Sequence, residues 1–346
     1  MSRGAALREL PRRWRAKLGL HFPGVLVCGV IALAATFVSE HYGGPQLLYA
    51  LLIGLAFHFL NDDARVVAGI NFCGRTVLRV GVALLGARIT FAQVAELGPK
   101  TALLMVLAVL LTMVFGLLLA RWLGCARDEG VLTGSAVAIC GASAALAVSS
   151  VLPQTRENER FTLLAVVGVT VLSTVAMVIY PFSLNAIGLT PAQAGIVLGG
   201  SIHDVAQVVA AGMMLGLQAG DTATLVKLFR VMLLMPVVLV IAVLYRNHPG
   251  VKTPDTEVPL IPGFLLAFIV LVMLASVGTI TADMAQFAGD ASRWMLVTAI
   301  AAAGVKTSFE DLLKLGWKPV ALLLGETVFI VAFVVAGVLL LGLGTA

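Results

Sequence analysis

From Phe22 onward, long apolar runs alternate with short clusters of polar and helix-breaking residues, down to Leu343. A helix crossing a bilayer needs about 20 mostly apolar residues, because the hydrocarbon slab is about 30 Å thick and each residue rises 1.5 Å. By that measure the runs predict eleven spans, at 22–39, 45–60, 66–87, 101–122, 130–151, 161–181, 192–216, 223–245, 260–281, 290–305 and 318–343. The short alternating segments of an outer-membrane barrel are not seen. The pattern predicts an all-α polytopic membrane protein. Residues 1–20 form a basic N-terminus and 21–345 a single transmembrane domain.

Composition agrees. Of 346 residues, 60% are hydrophobic and only 12% charged, with a mean hydropathy of +1.03. Soluble domains are roughly a quarter charged. So few charges cannot coat a water-soluble globule, and so many runs exclude a one-span receptor. The net charge of +5 would in a soluble chain raise the question of nucleic acid. Here the cations sit in loops and at the N-terminus, where the membrane surface accounts for them.

Arg3, Arg8, Arg12, Arg13, Arg15 and Lys17 precede the first run. A signal peptide also begins basic, but its apolar core is short and ends in small residues. This run is span-length and is followed by Glu40 and His41, so it reads as a retained first helix with a cytoplasmic N-terminus. The inner side then also receives Arg65, Arg121, Arg127, Arg246, Lys252, Lys306, Lys314 and Lys318, and the outer side only Arg88, Lys100, Arg156 and Arg160. That asymmetry is the positive-inside bias. The cysteines, Cys28, Cys73, Cys125 and Cys140, show neither a disulfide framework nor zinc spacing, so free thiols are expected.

An internal repeat carries more information. Gly86-Ala87-Arg88-Ile89-Thr90-Phe91 with Leu97-Gly98-Pro99-Lys100 recurs as Gly304-Val305-Lys306-Thr307-Ser308-Phe309 with Leu315-Gly316-Trp317-Lys318, at a constant offset of 218 residues. Each copy joins two spans, giving repeat-related hairpins at 66–122 and 290–343. The copies are an odd number of spans apart, so the hairpins are expected to enter the membrane from opposite sides. Inverted repeats are typical of secondary transporters, whose sites lie at the midplane on broken helices.

Two spans carry the glycine clusters and polar residues expected of a break. The fifth contains Cys140-Gly141-Ala142-Ser143, and the seventh Gly199-Gly200-Ser201-Ile202-His203-Asp204 followed by Gln207. In the seventh, the glycine pair is expected to interrupt the helix, and Ser201 with Asp204 has the form of a capping box that opens a new one. A half-helix starting inside the membrane points bare N–H groups and a positive dipole end at an anion. His203 and Gln207, four apart, are expected on one face. Ionisable groups inside a span are functional candidates by default. The purely structural alternative is that Asp204 caps its helix while His203 bonds a carbonyl. For the fifth span the alternative is tight packing through small residues.

Arg79, inside the third span, is a candidate counter-charge or a snorkelling cation. Lys227 and Arg230 are expected to snorkel from the outer end of the eighth span. Glu326, deep in the last span, is a candidate proton carrier or ion-pair partner. No P-loop, H-E-x-x-H or G-x-S-x-G motif occurs, which disfavours an ATP-driven pump or a familiar hydrolase.

The blocks Leu78-Arg79-Val80-Gly81-Val82-Ala83-Leu84-Leu85-Gly86-Ala87-Arg88, Ile139-Cys140-Gly141-Ala142-Ser143-Ala144, Ser201 through Gly212, and Gly304 through Trp317 resemble the YeiH family of bacterial inner-membrane proteins, described as sulfate exporters. The resemblance runs from about residue 20 to 340. It implies a multi-pass bacterial plasma-membrane transporter of a small anion. By a looser likeness it implies the fold of bile-acid/sodium symporters and cation/proton antiporters, with two crossing broken helices. The reading is a secondary transporter, not an enzyme, with neither cofactor nor metal. Its substrate site is expected at Cys140, Gly141, Ser143, Gly200, Ser201, His203, Gln207 and Arg79, and its coupling to H⁺ or Na⁺ at Asp204, His203 and Glu326. Its partners are a small anion, the coupling ion and the lipid bilayer, with no nucleic acid. Gly- and Ala-rich lipid-facing surfaces permit a homodimer without demanding one. The rival readings are an anion channel and a membrane-embedded enzyme using His203 and Asp204.

Overall fold

The computed structural model describes residues 3–43, 45–153, 155–246, 263–307 and 316–344. They form α-helices and no strand. In chain order these are α1 (Arg3–Tyr42), α2 (Gln46–Ala56), α3 (Ala64–Phe72), α4 (Leu78–Leu85), α5 (Phe91–Glu96), α6 (Gly98–Leu123), α7 (Arg127–Ala138) and α8 (Ala142–Ser149). There follow α9 (Arg156–Ala186), α10 (Pro191–Ser201), α11 (Val205–Met214), α12 (Leu217–Met232), α13 (Leu234–Tyr245), α14 (Gly263–Ser276), α15 (Ala282–Lys306) and α16 (Trp317–Leu340). Among the described residues, six helical stretches are long and apolar enough to cross a membrane: 19–42, 64–88, 98–123, 156–186, 217–245 and 317–340. The expected spans 130–151 and 192–216 are each split into two half-helices, α7–α8 and α10–α11.

Local chemistry sets the helix starts. Asp63 accepts from Arg65 N to open α3, and its ion pair with Arg65 (2.7 Å) holds its carboxyl down at about 2. Thr190 caps α10 by accepting from Gln193 N, and Gln193 returns the bond, with Pro191 in the first turn. That is the reciprocal capping box. Thr155 and Thr281 start α9 and α15 in the same way from their hydroxyls.

The chain divides into two compact units, Met1–Arg88 with Ile280–Thr307, and Ile89–Thr279 with Ser308–Ala346. The chain passes from one unit to the other at Arg88 and again at Thr307, nearly equivalent points of the two repeat copies. Ser308 to Leu315 of the second copy lie outside the described residues.

In the first unit, helices meet backbone to backbone at glycines. A Cβ on Gly24 would lie 2.7 Å from Gly69 Cα, and one on Gly54 2.5 Å from Ala301 O. One turn beyond the Gly24–Gly69 contact, the buried thiols of Cys28 and Cys73 lie next to each other. Ser292 Oγ donates to Gly81 O (2.6 Å), and His58 Nδ1 lies 2.8 Å from Val305 O, tying α4 and the turn after α2 to α15. Arg88 folds over Gly289, where a Cβ would meet its Cδ at 2.8 Å.

The second unit holds both split spans. Its α6 and α7 pack through Gly116, Gly130 and Gly134, and α10 and α11 pack on α12 through Gly195, Gly199 and Gly212.

Candidate functional site

The two breaks lie side by side in the second unit. In the first, α7 ends at Ala138 and Ile139-Cys140-Gly141 carries the chain into α8. Gly141 takes φ +60° and ψ −123°, a region open to glycine and closed to most residues. A Cβ there would also press on His203 Cβ at 3.5 Å. In the second, α10 ends at Ser201, and the chain leaves the helix over Ile202-His203-Asp204, with Ile202 and Asp204 extended, before α11.

The glycine pair is not the break. Contrary to expectation, α10 runs through Gly199 and Gly200 to Ser201. Their missing side chains admit neighbours instead: a Cβ on Gly199 would lie 2.5 Å from Ala223 O, and one on Gly200 2.8 Å from Val334 Cγ1. Nor do Ser201 and Asp204 form a capping box. Ser201 Oγ donates one turn back to Val197 O (2.6 Å), and Asp204 itself caps α11 by accepting from Ala206 N (2.9 Å). Because His203 lies in the break, the helical face expected to join it to Gln207 does not form.

What ends the half-helices is a pair of cations from α12. Lys227 Nζ donates to Ile139 O (2.7 Å), Ile202 O (2.9 Å) and His203 O (2.5 Å). Three carbonyl acceptors on one nitrogen are the geometry of an ammonium group. Arg230 donates through Nε to Ala138 O (3.0 Å), through Nη2 to Val137 O (3.0 Å) and Ala138 O (2.6 Å), and through Nη1 to Gly199 O (2.9 Å) and Ile202 O (3.2 Å). The Gly199 carbonyl, which a continuing helix would give to the amide of His203, is occupied by a guanidinium. Cations at helix C-termini also oppose the negative dipole end.

This corrects the snorkelling expected of Lys227 and Arg230: both side chains are 0% exposed. The helical stretch begins at Leu217, not Ala223, and runs to Tyr245. That puts Lys227 ~15 Å along it at 1.5 Å per residue, far from either end. A lysine and an arginine three apart share a helix face, and that spacing inside an apolar run was the available sequence signal.

His203 bridges the breaks to α16. Its side chain is 0% exposed, with Nδ1 3.2 Å from Val137 O and Nε2 3.0 Å from Thr327 Oγ1. Thr327 Oγ1 also donates to Leu323 O (2.7 Å). Asp204 is half-buried, and its N–H donates to Ser173 Oγ of α9 (2.9 Å). It acts on Lys227 electrostatically without contacting it. Gln207 is buried, and its Oε1 has no partner.

The other expected site residues disperse. Cys140 packs in an apolar cluster with Val109, Ala138, Ile139, Ala144 and Val231. Ser143 is exposed on α8, and Ser201 is spent on its own helix. Arg79 is exposed on α4, in the first unit, and the contacts described above all lie in the second. Glu326 and Thr133, joined at 2.8 Å, lie buried beside this centre on α16 and α7. Thr327, Thr133 and Ser173 were not singled out in the sequence. The arrangement sets two buried cations near the half-buried Asp204 and the buried Glu326, beside the amino ends of α8 and α11.

A family model described as conserved hypothetical protein 698 matches residues 23–323. A UPF0324 membrane protein of Chlorobaculum tepidum is 49% identical, covering 92% of this chain and 89% of that one. The UPF0324 membrane protein TauZ of Paracoccus pantotrophus is 50% identical over 93% of this chain and 96% of that one. The TauZ of Paracoccus denitrificans is 48% identical over the same shares.

Proposed function

This chain belongs to the conserved hypothetical protein 698 family of membrane proteins, the YeiH-like family its sequence blocks resemble, and from that premise we propose that it is a secondary active transporter of a small sulfate-like or sulfonate-like anion, coupled to H⁺ or Na⁺. It works in the bacterial inner membrane with its N-terminus in the cytoplasm. The observation that carries the reading is the pair Lys227 and Arg230. Both are buried at two helix breaks and, among the described residues, hydrogen-bond to carbonyls only. Uncompensated charge inside a membrane is costly, so such a centre favours an anion as partner. The amino ends of α8 and α11 add the positive ends of two helix dipoles, of the same polarity.

Reconstituted vesicles test this. Uptake of sulfate, sulfite, thiosulfate and a taurine-like sulfonate is measured with and without proton and sodium gradients. Saturable, gradient-dependent uptake of at least one is expected. His203→Ala and Asp204→Asn are expected to reduce that uptake to background while the protein still inserts and runs as a single species. Wild-type flux in both variants removes the breaks as the site. Flux that never saturates would make the protein a channel.

A further inference from the structure

Resting on the transporter reading above, we infer that the coupling ion is a proton and that the Glu326 carboxyl carries it. Glu326 sits about 14 Å into α16 by helical rise, and its side chain is 0% exposed. The carboxyl enters a cradle of bare backbone where α6 and α7 pack. A Cβ added at Gly116 would collide with Glu326 Oε1 and lie 3.1 Å from both Gly130 O and Gly134 Cα.

Among the described residues only one polar group answers the carboxyl. Thr133 Oγ1 lies 2.8 Å from Oε1, and Oε2 has no partner. The same hydroxyl lies 2.9 Å from Glu129 O. A threonine has one O–H to give, so the cluster has two arrangements. With a proton on the carboxyl, Glu326 O–H donates to Thr133 and Thr133 O–H donates to the Glu129 carbonyl, and both contacts are hydrogen bonds. Without it, Thr133 must turn its proton to Glu326, the Glu129 carbonyl loses its hydroxyl donor, and a bare carboxylate oxygen faces apolar packing. Loading and unloading therefore flips the hydroxyl of α7.

A sodium ion does not suit this place. A hard cation needs a shell of several oxygens, and one hydroxyl is offered. The break carbonyls that coordinate ions in other transporters are already held here by Lys227 and Arg230. The ionisable groups of the helices packed on α16 are Lys100 and Arg121 (α6), Arg127, Asp128 and Glu129 (α7), and Arg156, Glu157, Glu159, Arg160 and Tyr180 (α9), with none on α10. Among the described residues none of these groups, nor His203, Lys227 or Arg230 at the breaks, makes a hydrogen bond or ion pair with Glu326. The link to the substrate site is covalent: the next residue, Thr327, holds His203 Nε2. A movement of α16 that exposes Glu326 also pulls on the break.

The test uses full-length protein in vesicles, with labelled sulfate and a taurine-like sulfonate as probes. Glu326→Gln keeps the shape of the protonated acid and cannot release a proton. It is expected to exchange either probe across the membrane at equal concentrations as wild type does, and to lose uptake driven by a pH gradient. Gradient-driven uptake at the wild-type level overturns the inference, and so does loss of exchange together with uptake. Infrared spectra at neutral pH separate this outcome from failure of the transporter reading. The wild type is expected to show a protonated-carboxyl band that is absent from Glu326→Gln and displaced in Thr133→Val, which identifies the band should the glutamine variant not fold. If the wild type moves neither probe, the transporter reading fails, and that band alone decides whether Glu326 holds a proton. A spectrum without the band overturns the inference.

Discussion

Replacing Arg230 by methionine is expected to leave little folded protein in detergent extracts. The side chain it removes is 0% exposed and supplies the hydrogen bonds that end two half-helices. Ile202 O keeps Lys227, and Val137 O keeps His203. Ala138 O and Gly199 O lose the donors that cap them, deep in the protein. A buried carbonyl left unsatisfied costs about 1–3 kcal/mol and two are left so, which makes the loss at least about 2 kcal/mol, and a cation at a helix C-terminus is worth up to about 2 more in a buried setting. Methionine fills similar space, so the effect is electrostatic rather than a cavity. Lysine is not expected to rescue it, because a single ammonium cannot span the fork that reaches both α7 and α10. Thermal unfolding followed by size-exclusion chromatography reads the outcome. A variant as stable as wild type would mean that the guanidinium does not hold the breaks.

The all-helical membrane class, with its six long apolar helices, was legible because a bilayer leaves a chain few choices: backbone groups must be satisfied within each segment, and the segment must be long enough. The presence of two broken spans was legible for a related reason, since small and polar residues inside an apolar run need an explanation. Which residue breaks each span was not. Gly199-Gly200 reads as an interruption, yet glycine in a helix costs only about 1 kcal/mol, and the space it leaves is taken by Ala223 and Val334. A single sequence cannot show which neighbour a missing side chain admits. The same blindness hid the role of Lys227 and Arg230. Judged one at a time, each resembles a cation reaching for the membrane surface. Their function depends on carbonyls between 24 and 93 positions away in the chain. Thr327 lies 124 positions from His203 and so left no local trace.

Two glycines five apart on α1 are expected to respond in opposite ways to the same substitution. A methyl group at Gly24 would overlap Val66 O and sit 2.6 Å from Ile70 N and 2.7 Å from Gly69 Cα, all backbone atoms of α3. No rotamer relieves such a contact, so α1 and α3 must separate. Separation disturbs the Cys28–Cys73 thiol contact next along the pair. Overpacking a well-filled site typically costs 1–3 kcal/mol, and a backbone-to-backbone clash belongs at or above about 3 kcal/mol. Gly29 meets no atom within 4 Å of an added Cβ, so Gly29→Ala gains the helix propensity of alanine, about 0.5–1 kcal/mol where the setting resembles that of an exposed helix. Gly24→Ala should therefore unfold well below wild type and Gly29→Ala at or slightly above it. Equal melting of the two would show that the α1–α3 contact is not a backbone crossing and that the small residues there serve flexibility rather than approach. Two spans of the first unit, 19–42 and 64–88, pass through this one contact, and glycine against glycine gives a close approach with no side chains to rearrange.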